Sequence, residues 1–457
     1  MTSRRRLLAA AVIPALMATR SWSPAFGQEA TLPAGDEANL DDVSEQIAAG
    51  PQPSYDTVRL YDGTSIQPYH LLVDWVPAIV ATPDGGAWLF FGAQARDTQG
   101  YGARKLYVSK FDTREQVWQP AVTMPGGETQ FAPAAQVGPA GTVHVVYSDV
   151  IKEAGPVSTL VYSRSDGNGG WTKPVAIAPD PNAGFQMMAS LTVDSAGDLH
   201  VLWRDQRLAT AELRAAHPAN GDLYASDLAD GVWSAPQQVF QRPDDNVVAG
   251  WPHIAANGDR LVAVWSTYTR TGLDTMGNAT GVQWASRPID DPAAWSAPQT
   301  LVQAATGDIG GRLVDLTRDI DGNLAMVSGH FEKGVNTLQL YRLESGEPEW
   351  SEPITISEGD YGYMPAAAYD KTNRLVVVFN RGRNRNVEVG AIELAAGADA
   401  ATEPVSLSPG EGGLQARASV TIAGDGSAWV AYMHQPDING AATELRVLRG
   451  AGLDPIS

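Results

Sequence analysis

The sequence predicts an all-β fold, a seven-bladed β-propeller, on three observations: a recurring Trp and Pro phrase, a column of aromatic residues, and hairpin turns at matching places. The phrase is a turn, a Trp, and a Pro two or three residues later. It occurs at Trp118 and Pro120, Trp171 and Pro174, Trp233 and Pro236, Trp295 and Pro298, and Trp350 and Pro353, while a sixth copy keeps only Glu403-Pro404. The spacing of roughly 50–60 residues suits one four-stranded blade per repeat.

The hairpins come next. Pro83-Asp84-Gly85-Gly86, Ala196-Gly197-Asp198, Asn257-Gly258-Asp259, Asp321-Gly322-Asn323 and Gly424-Asp425-Gly426 each separate two apolar strands. Gly, Asn and Asp are hairpin residues because they tolerate positive φ. Aligned on these turns, the second strands place Phe91, Tyr147, Trp203, Trp265, Ser328, Phe379 and Tyr432 in one register, which counts seven blades. The last repeat lacks a fourth strand, and Thr57-Val58-Arg59-Leu60-Tyr61 precedes the first blade without one of its own. The expectation is that this segment completes the last blade and closes the ring, leaving only short sheet edges.

Ahead of the propeller, assigned to residues 51–457, lie two other segments. In residues 1–27, Ser3-Arg4-Arg5-Arg6-Leu7-Leu8 resembles a twin-arginine export signal, with a short apolar run from Ala9 to Ala18 and small residues at Ala25-Phe26-Gly27 for cleavage. The run is too short to span a bilayer, and Pro14 interrupts it. Residues 28–50 carry six acids and no base and read as an acidic linker. The expected location is periplasmic or secreted. Removing residues 1–27 takes away Arg4, Arg5, Arg6 and Arg20 and moves the net charge from -20 to -24. Such a charge argues against nucleic acid or an anionic membrane as partner. With no cysteine, disulfides, thiolate nucleophiles and thiolate metal sites are excluded. No motif calls for a cofactor or a metal: Asp319-x-Asp321-x-Asn323 has calcium-loop spacing but coincides with a hairpin turn found in every repeat. The sequence is silent on oligomeric state.

Residues Val161 to Trp171 contain Asp166 five positions before Trp171, the spacing of an Asp-box. On this motif and the repeat, the chain resembles the sialidase-like superfamily of bacterial neuraminidase repeats. The resemblance covers most of residues 57–450 as architecture and implies a carbohydrate ligand. It also implies that Asp166 caps turn amides while Trp171 packs between sheets. The family's Phe-Arg-Ile-Pro motif is matched by Asp74-Trp75-Val76-Pro77, so Trp75 stands in place of the Arg that binds the substrate carboxylate. Its Tyr nucleophile motif is matched by Tyr363-Met364-Pro365-Ala366, which keeps the Tyr alone. The family usually has six blades, which is the alternative count.

Strand register supplies site candidates without any family. The start of each inner strand and the end of each second strand share one end of the molecule. Two residues past the aromatic column stand Asp149, Asp205, His330, Arg381 and His434; one past it stands Arg204. The inner-strand starts add Trp75, Arg312 and Tyr363. Asp149, Asp205, His330, His434 and Tyr363 are the candidate catalytic groups, and Arg204, Arg312, Arg381 and Trp75 the candidate substrate-binding groups. Carboxylates, or Tyr363 with one, suit glycosidic hydrolysis. Arginine with histidine or tyrosine suits β-elimination beside a uronate carboxylate. Both reactions remain open, and the alternative is a propeller that binds glycan or protein without catalysis. His144 and His200 read as interior bonded histidines. His70 and His253 have no assignment, and Trp251 joins Trp75 as a sugar-stacking candidate.

Overall fold

The computed structural model describes residues 55–57, 69–71, 76–95, 104–127, 129–151, 157–167, 169–180, 184–216, 221–244, 246–272, 275–305, 308–332, 334–359, 363–383, 386–408, 413–435 and 444–451. The export signal, the acidic linker and Trp75 lie outside the described residues. The described chain is nearly all strand, with one short helix, Ala211–Ala216.

Each sheet is an antiparallel meander. Gln130–Val137, Val143–Ile151, Val157–Arg164 and Val175–Ala176 form one, paired in that order from inside to outside. Val247–Asn257, Arg260–Gly272, Thr275–Pro288 and Gln299–Gln303 form another. Ile309–Arg318, Leu324–Glu332, Val335–Leu343 and Ile354–Glu358 repeat the order. So do Gln186–Val193, Leu199–Asp205 and Asp222–Ala229 with Gln237–Phe240 outermost, and Ala78–Ala81, Ala87–Ala95 and Arg104–Asp112 with Val122–Thr123 outermost. Tyr69–Leu71 and Val117–Trp118 add to the sheet of Ala87–Ala95, and Val232–Trp233 adds to that of Leu199–Asp205, whereas the strands from Tyr363 onward and Tyr55–Thr57 join one eight-stranded sheet. Its halves run from Tyr363–Tyr369 to Val405–Ser406 and from Leu414–Ile422 to Glu444–Ala451, and meet at a parallel pair, Val387 with Leu414. Tyr55–Thr57 pairs with Glu444–Ala451 at the outer edge, Thr57 opposite Arg446. This architecture is consistent with a β-propeller.

The aromatic column is the reason the sheets stack. Tyr147, Trp203, Trp265, Phe379 and Tyr432 are fully buried, and Phe91 nearly so. The tryptophans of the repeated phrase lock each sheet to the one before it: Trp171 packs edge-on against Trp88 and Phe90, Trp233 against Tyr162, and Trp350 against Trp284. Trp118 meets Trp429, so the first and last sheets share one apolar cluster. At the turn before Trp171, Asp166 Oδ1 accepts the Gly170 amide at 2.9 Å. The hairpin aspartates do the same work for their own turns: Asp194 Oδ1 accepts the amides of Ala196 and Asp198, and Asp319 Oδ1 those of Asp321 and Asn323. Asp319 is thereby accounted for by the turn.

One feature of the inner strands escapes the alternating pattern. Six of the seven carry a β-bulge, and at each bulge a non-glycine residue takes positive φ: Ala132 (52°), Met188 (53°), Trp251 (51°), Leu313 (55°), Met364 (53°) and Arg417 (59°); Ala78–Ala81 pairs in continuous register. A bulge inserts one unpaired residue and bends the strand. Left-handed backbone costs a non-glycine residue about 1–2 kcal/mol, and packing between sheets holds it. Just upstream, Gln186 is fully buried and bridges the previous sheet, its Oε1 accepting the Leu160 amide and its Nε2 donating to the Ala178 carbonyl. Gln130 bridges Leu106 and Pro125 in the same way.

Candidate functional site

The inner strands surround a central cavity of about 1170 Å³, with the bulge residues at one end and the hairpins at the other. Its walls are rich in Ala and other small or aliphatic residues, and most of their charged residues, Arg318, Asp319, Asp321, Asp370 and Lys371, lie toward the hairpin end. Two residues past each bulge, one level of the wall is formed by Ala134, Ser190, His253, Asp315, Ala366 and Ser419, and Ala78, which like Ala134 and Ala366 follows a Pro, is the matching residue of the first sheet. The two serines tie one inner strand to the next: Ser190 Oγ accepts the Ile254 amide at 3.1 Å and Ser419 Oγ the Ile79 amide at 3.5 Å. Asp315 does likewise through Oδ2, which accepts the Ala367 amide at 2.6 Å, and its Oδ1 lies 3.2 Å from His253 Nδ1. About a quarter of the His253 side chain (27%) opens to the cavity. The ring nevertheless sits deep in the fold, so burial pulls its pKa below the usual histidine range, against the opposing pull of Asp315 and the Val314 backbone.

Arg204 lies at the bulge end and is buried. Its Nη2 is held by thioethers, Met188 Sδ at 2.8 Å and Met187 Sδ at 3.6 Å, and Nη1 donates to the Ala249 carbonyl at 3.2 Å. Nε has no partner among the described residues. No carboxylate among them pairs with this guanidinium, and burial lowers its pKa to about 10. Met188 lines the cavity, and so does Trp251, two residues along the strand from the Ala249 carbonyl that Arg204 reaches.

The other expected site residues come to the same end of the molecule, but their side chains are enclosed between sheets. Asp205 is fully buried, and its Oδ2 accepts from Gln186 Nε2 (3.0 Å), Trp203 Nε1 (3.0 Å) and Arg207 Nη2 (2.6 Å). Asp149 is half-buried, with Oδ2 accepting the Gly127 amide at 2.8 Å; burial raises its pKa in spite of that amide and nearby Lys105. His330 is buried, bonded to Ser328 Oγ at 2.7 Å, and burial lowers its pKa to about 4. His434 is buried 3.6 Å from Glu444, and Arg381 is half-buried 3.4 Å from Glu388. Three of these groups thus have an acid of their own sheet nearby, Glu332 at 3.8 Å in the case of His330. Arg312 and Tyr363 directly precede the bulge residues Leu313 and Met364; their side chains lie outside the described set.

His144 is bonded to Tyr162 at 2.8 Å, and His200 is buried between Asp194 and Asp227, as expected of interior histidines. Counting along strands missed the pairing of His253 with Asp315. Part of the signal was available: the four inner strands that carry a Pro place Ala78, Ala134 and Ala366 at this level beside His253, whereas the strand of Asp315 has no Pro to align on.

No protein-family model matches the sequence, and no curated protein matches it. Among solved structures, the chain is similar in fold to an ulvan lyase of polysaccharide lyase family PL25 with a bound saccharide. The two are 12% identical, with 88% of this chain and 95% of that one covered and a TM-score of 0.53. It is also similar to the polysaccharide lyase Uly1 (13% identity, 88% and 98% covered, TM-score 0.51). A fungal alcohol oxidase of the AA5 family in complex with copper is as near in shape (12% identity, 89% and 78% covered, TM-score 0.53). Different chemistries share this scaffold, so the likeness establishes the fold and leaves the chemistry to the site.

Proposed function

We propose that the chain is an exported, seven-bladed propeller that binds an acidic saccharide at the bulge end of its cavity and cleaves a glycosidic bond beside the acid group. Dividing the eight-stranded sheet at its parallel pair leaves seven sheets of four to six strands, which supports the count of seven blades, and the pairing of Tyr55–Thr57 with Glu444–Ala451 supports closure of the ring by the N-terminal strand. Export rests on the twin-arginine-like residues near Arg4 and Arg5.

The observation that carries the substrate class is Arg204. A buried guanidinium held by two thioethers and one carbonyl is costly, because it gives up water and gains no counter-charge. In a chain of net charge -20, an arginine left so is a receptor for an anion that arrives with the ligand. A uronate carboxylate or a sugar sulfate displacing Met188 supplies it, with Trp251 as the sugar-stacking face. Arg312 and Tyr363 occupy the same end and are the next candidates to reach the substrate.

Arg204→Met tests this, because ligand binding and stability should move in opposite directions. Replacing an uncompensated buried charge by an apolar side chain of similar length raises stability by about 1–4 kcal/mol. Binding of acidic saccharides should fall at least tenfold. Mass spectrometry of a panel of sialylated and uronic-acid glycans incubated with the mature protein reads cleavage directly. Binding without cleavage of any glycan favours the non-catalytic alternative. Unchanged binding by R204M rules out Arg204 as the receptor.

A further inference from the structure

A repeat protein contains its own controls, since each blade shows what a position needs for folding alone. At the wall level two residues past the bulge, that need is small. Ala78, Ala134 and Ala366 fill it with a methyl group, and Ser190 and Ser419 add one bond to the next strand. Asp315 makes the same bond with one oxygen and has a second oxygen on His253 Nδ1. A serine would have sufficed for the backbone, so neither the extra oxygen nor the imidazole serves the blade-to-blade contact. Both side chains are partly open to the cavity, 27% and 19%, two residues below Trp251 on the His253 strand.

We infer that His253, oriented by Asp315, transfers the proton in cleavage of the acidic saccharide, and that the reaction is therefore β-elimination. The inference rests on the proposed reading of an acidic saccharide at this end of the cavity. The neutral imidazole takes the proton from the carbon that bears the carboxylate. The electron pair of that C–H bond forms a C=C bond as the adjacent C–O bond to the departing sugar breaks. The proton then passes from the imidazolium to the departing oxygen, so one chain ends in an unsaturated uronate, the other in a hydroxyl, and no water is added. Hydrolysis by two carboxylates needs a second acid near the first. The other acids of the cavity wall are committed at its hairpin end: Asp319 and Asp370 hold their own turn amides, and Asp321 holds Asn373.

The surroundings suit a base that is neutral at pH 7. Burial lowers the His253 pKa, and Asp315 on the next inner strand is the charged group that opposes it. On the preceding inner strand Ser190 stands at this level, and on its own second strand Val264 is the partner, neither charged. Asp194 and Arg318 lie toward the hairpin end. Asp315 is a positioning residue: it fixes which ring nitrogen carries the proton.

The test uses the mature protein with uronic-acid polysaccharides, following the ultraviolet absorbance of the unsaturated product. His253→Gln should lower kcat by 10²-fold or more while saccharide affinity stays within a few-fold of wild type. Asp315→Asn keeps an acceptor for the Ala367 amide. It should lower kcat about tenfold and move the acid limb of the kcat/KM profile to lower pH, because the carboxylate that raises the histidine pKa is gone. Ser190→Ala, at the same level, should retain wild-type turnover. Thermal melting of each variant separates misfolding from lost chemistry, and Asp315→Asn decides the matter if His253→Gln does not fold. Wild-type products carrying added water overturn the inference and leave the acidic-saccharide reading standing, as does a His253→Gln variant of wild-type rate. A wild-type protein that neither binds nor cleaves acidic saccharides overturns that reading, and the inference with it.

Discussion

The second strands and the inner strands bring polar residues to the same end of this molecule with opposite results. Asp205, His330 and His434 on the second strands are closed in between sheets, whereas His253 and Asp315 on the inner strands open to the cavity. A second strand has a neighbouring sheet on each face, so every side chain along it points into packing. An inner strand has the axis on one side. Reaching the right end of a propeller is therefore a weaker statement than facing its channel, and the two sets should respond differently to mutation.

The largest expected difference is in stability. Asp205→Ala removes a fully buried carboxylate that bonds Arg207, Gln186 and Trp203, leaving the Arg207 charge without its partner. Breaking one side of such a pair costs about 3–5 kcal/mol, which should appear as a large drop in the denaturation midpoint. A variant that stays stable but loses saccharide turnover would instead return Asp205 to the site and break the comparison.

That comparison also marks how far the sequence could be read. Tyr147, Trp203, Trp265, Phe379 and Tyr432 were legible as a packed column because one strand has one parity, and the turn aspartates were legible because each acts within five residues. The bulges were not. Nothing in Met187-Met188-Ala189 or Ala416-Arg417-Ala418 announces an extra residue, and Pro follows the bulge only at Ala132, Trp251 and Met364. One inserted residue reverses which face every later side chain takes. Counting across it therefore put Asp149, Asp205, His330 and His434 forward and passed over His253. The burial of Arg204 without a carboxylate was equally hidden, since it depends on the side chains of two methionines and the carbonyl of the next inner strand.

A smaller effect follows from His330. Its pKa is about 4 in the folded protein against 6.5 for an ordinary histidine, because burial disfavours the charged ring. The unfolded chain therefore binds more protons between these values. Stability from this residue is complete above pH 6.5 and is lost as pH falls toward 4. The full span corresponds to about 3 kcal/mol at most. Denaturation of wild type and His330→Gln at pH 7 and pH 4.5 should show a shallower pH dependence in the variant. Equal slopes would mean that the ring can protonate without unfolding, as a residue facing the cavity would.

The smallest effect sharpens the comparison from the other side. Ser190→Ala removes one hydrogen bond between inner strands, from the Ile254 amide, at a cost of about 1 kcal/mol. Blades carrying Ala134 or Ala366 at this level do without a side-chain acceptor there, so the ring should tolerate the loss with a small fall in Tm. If the serine level is only structural, Ser190→Ala and Asp315→Asn will differ little in Tm and widely in turnover. A matched loss of turnover in both would make the whole level part of the ligand surface, and would extend the functional set from one pair of blades to three.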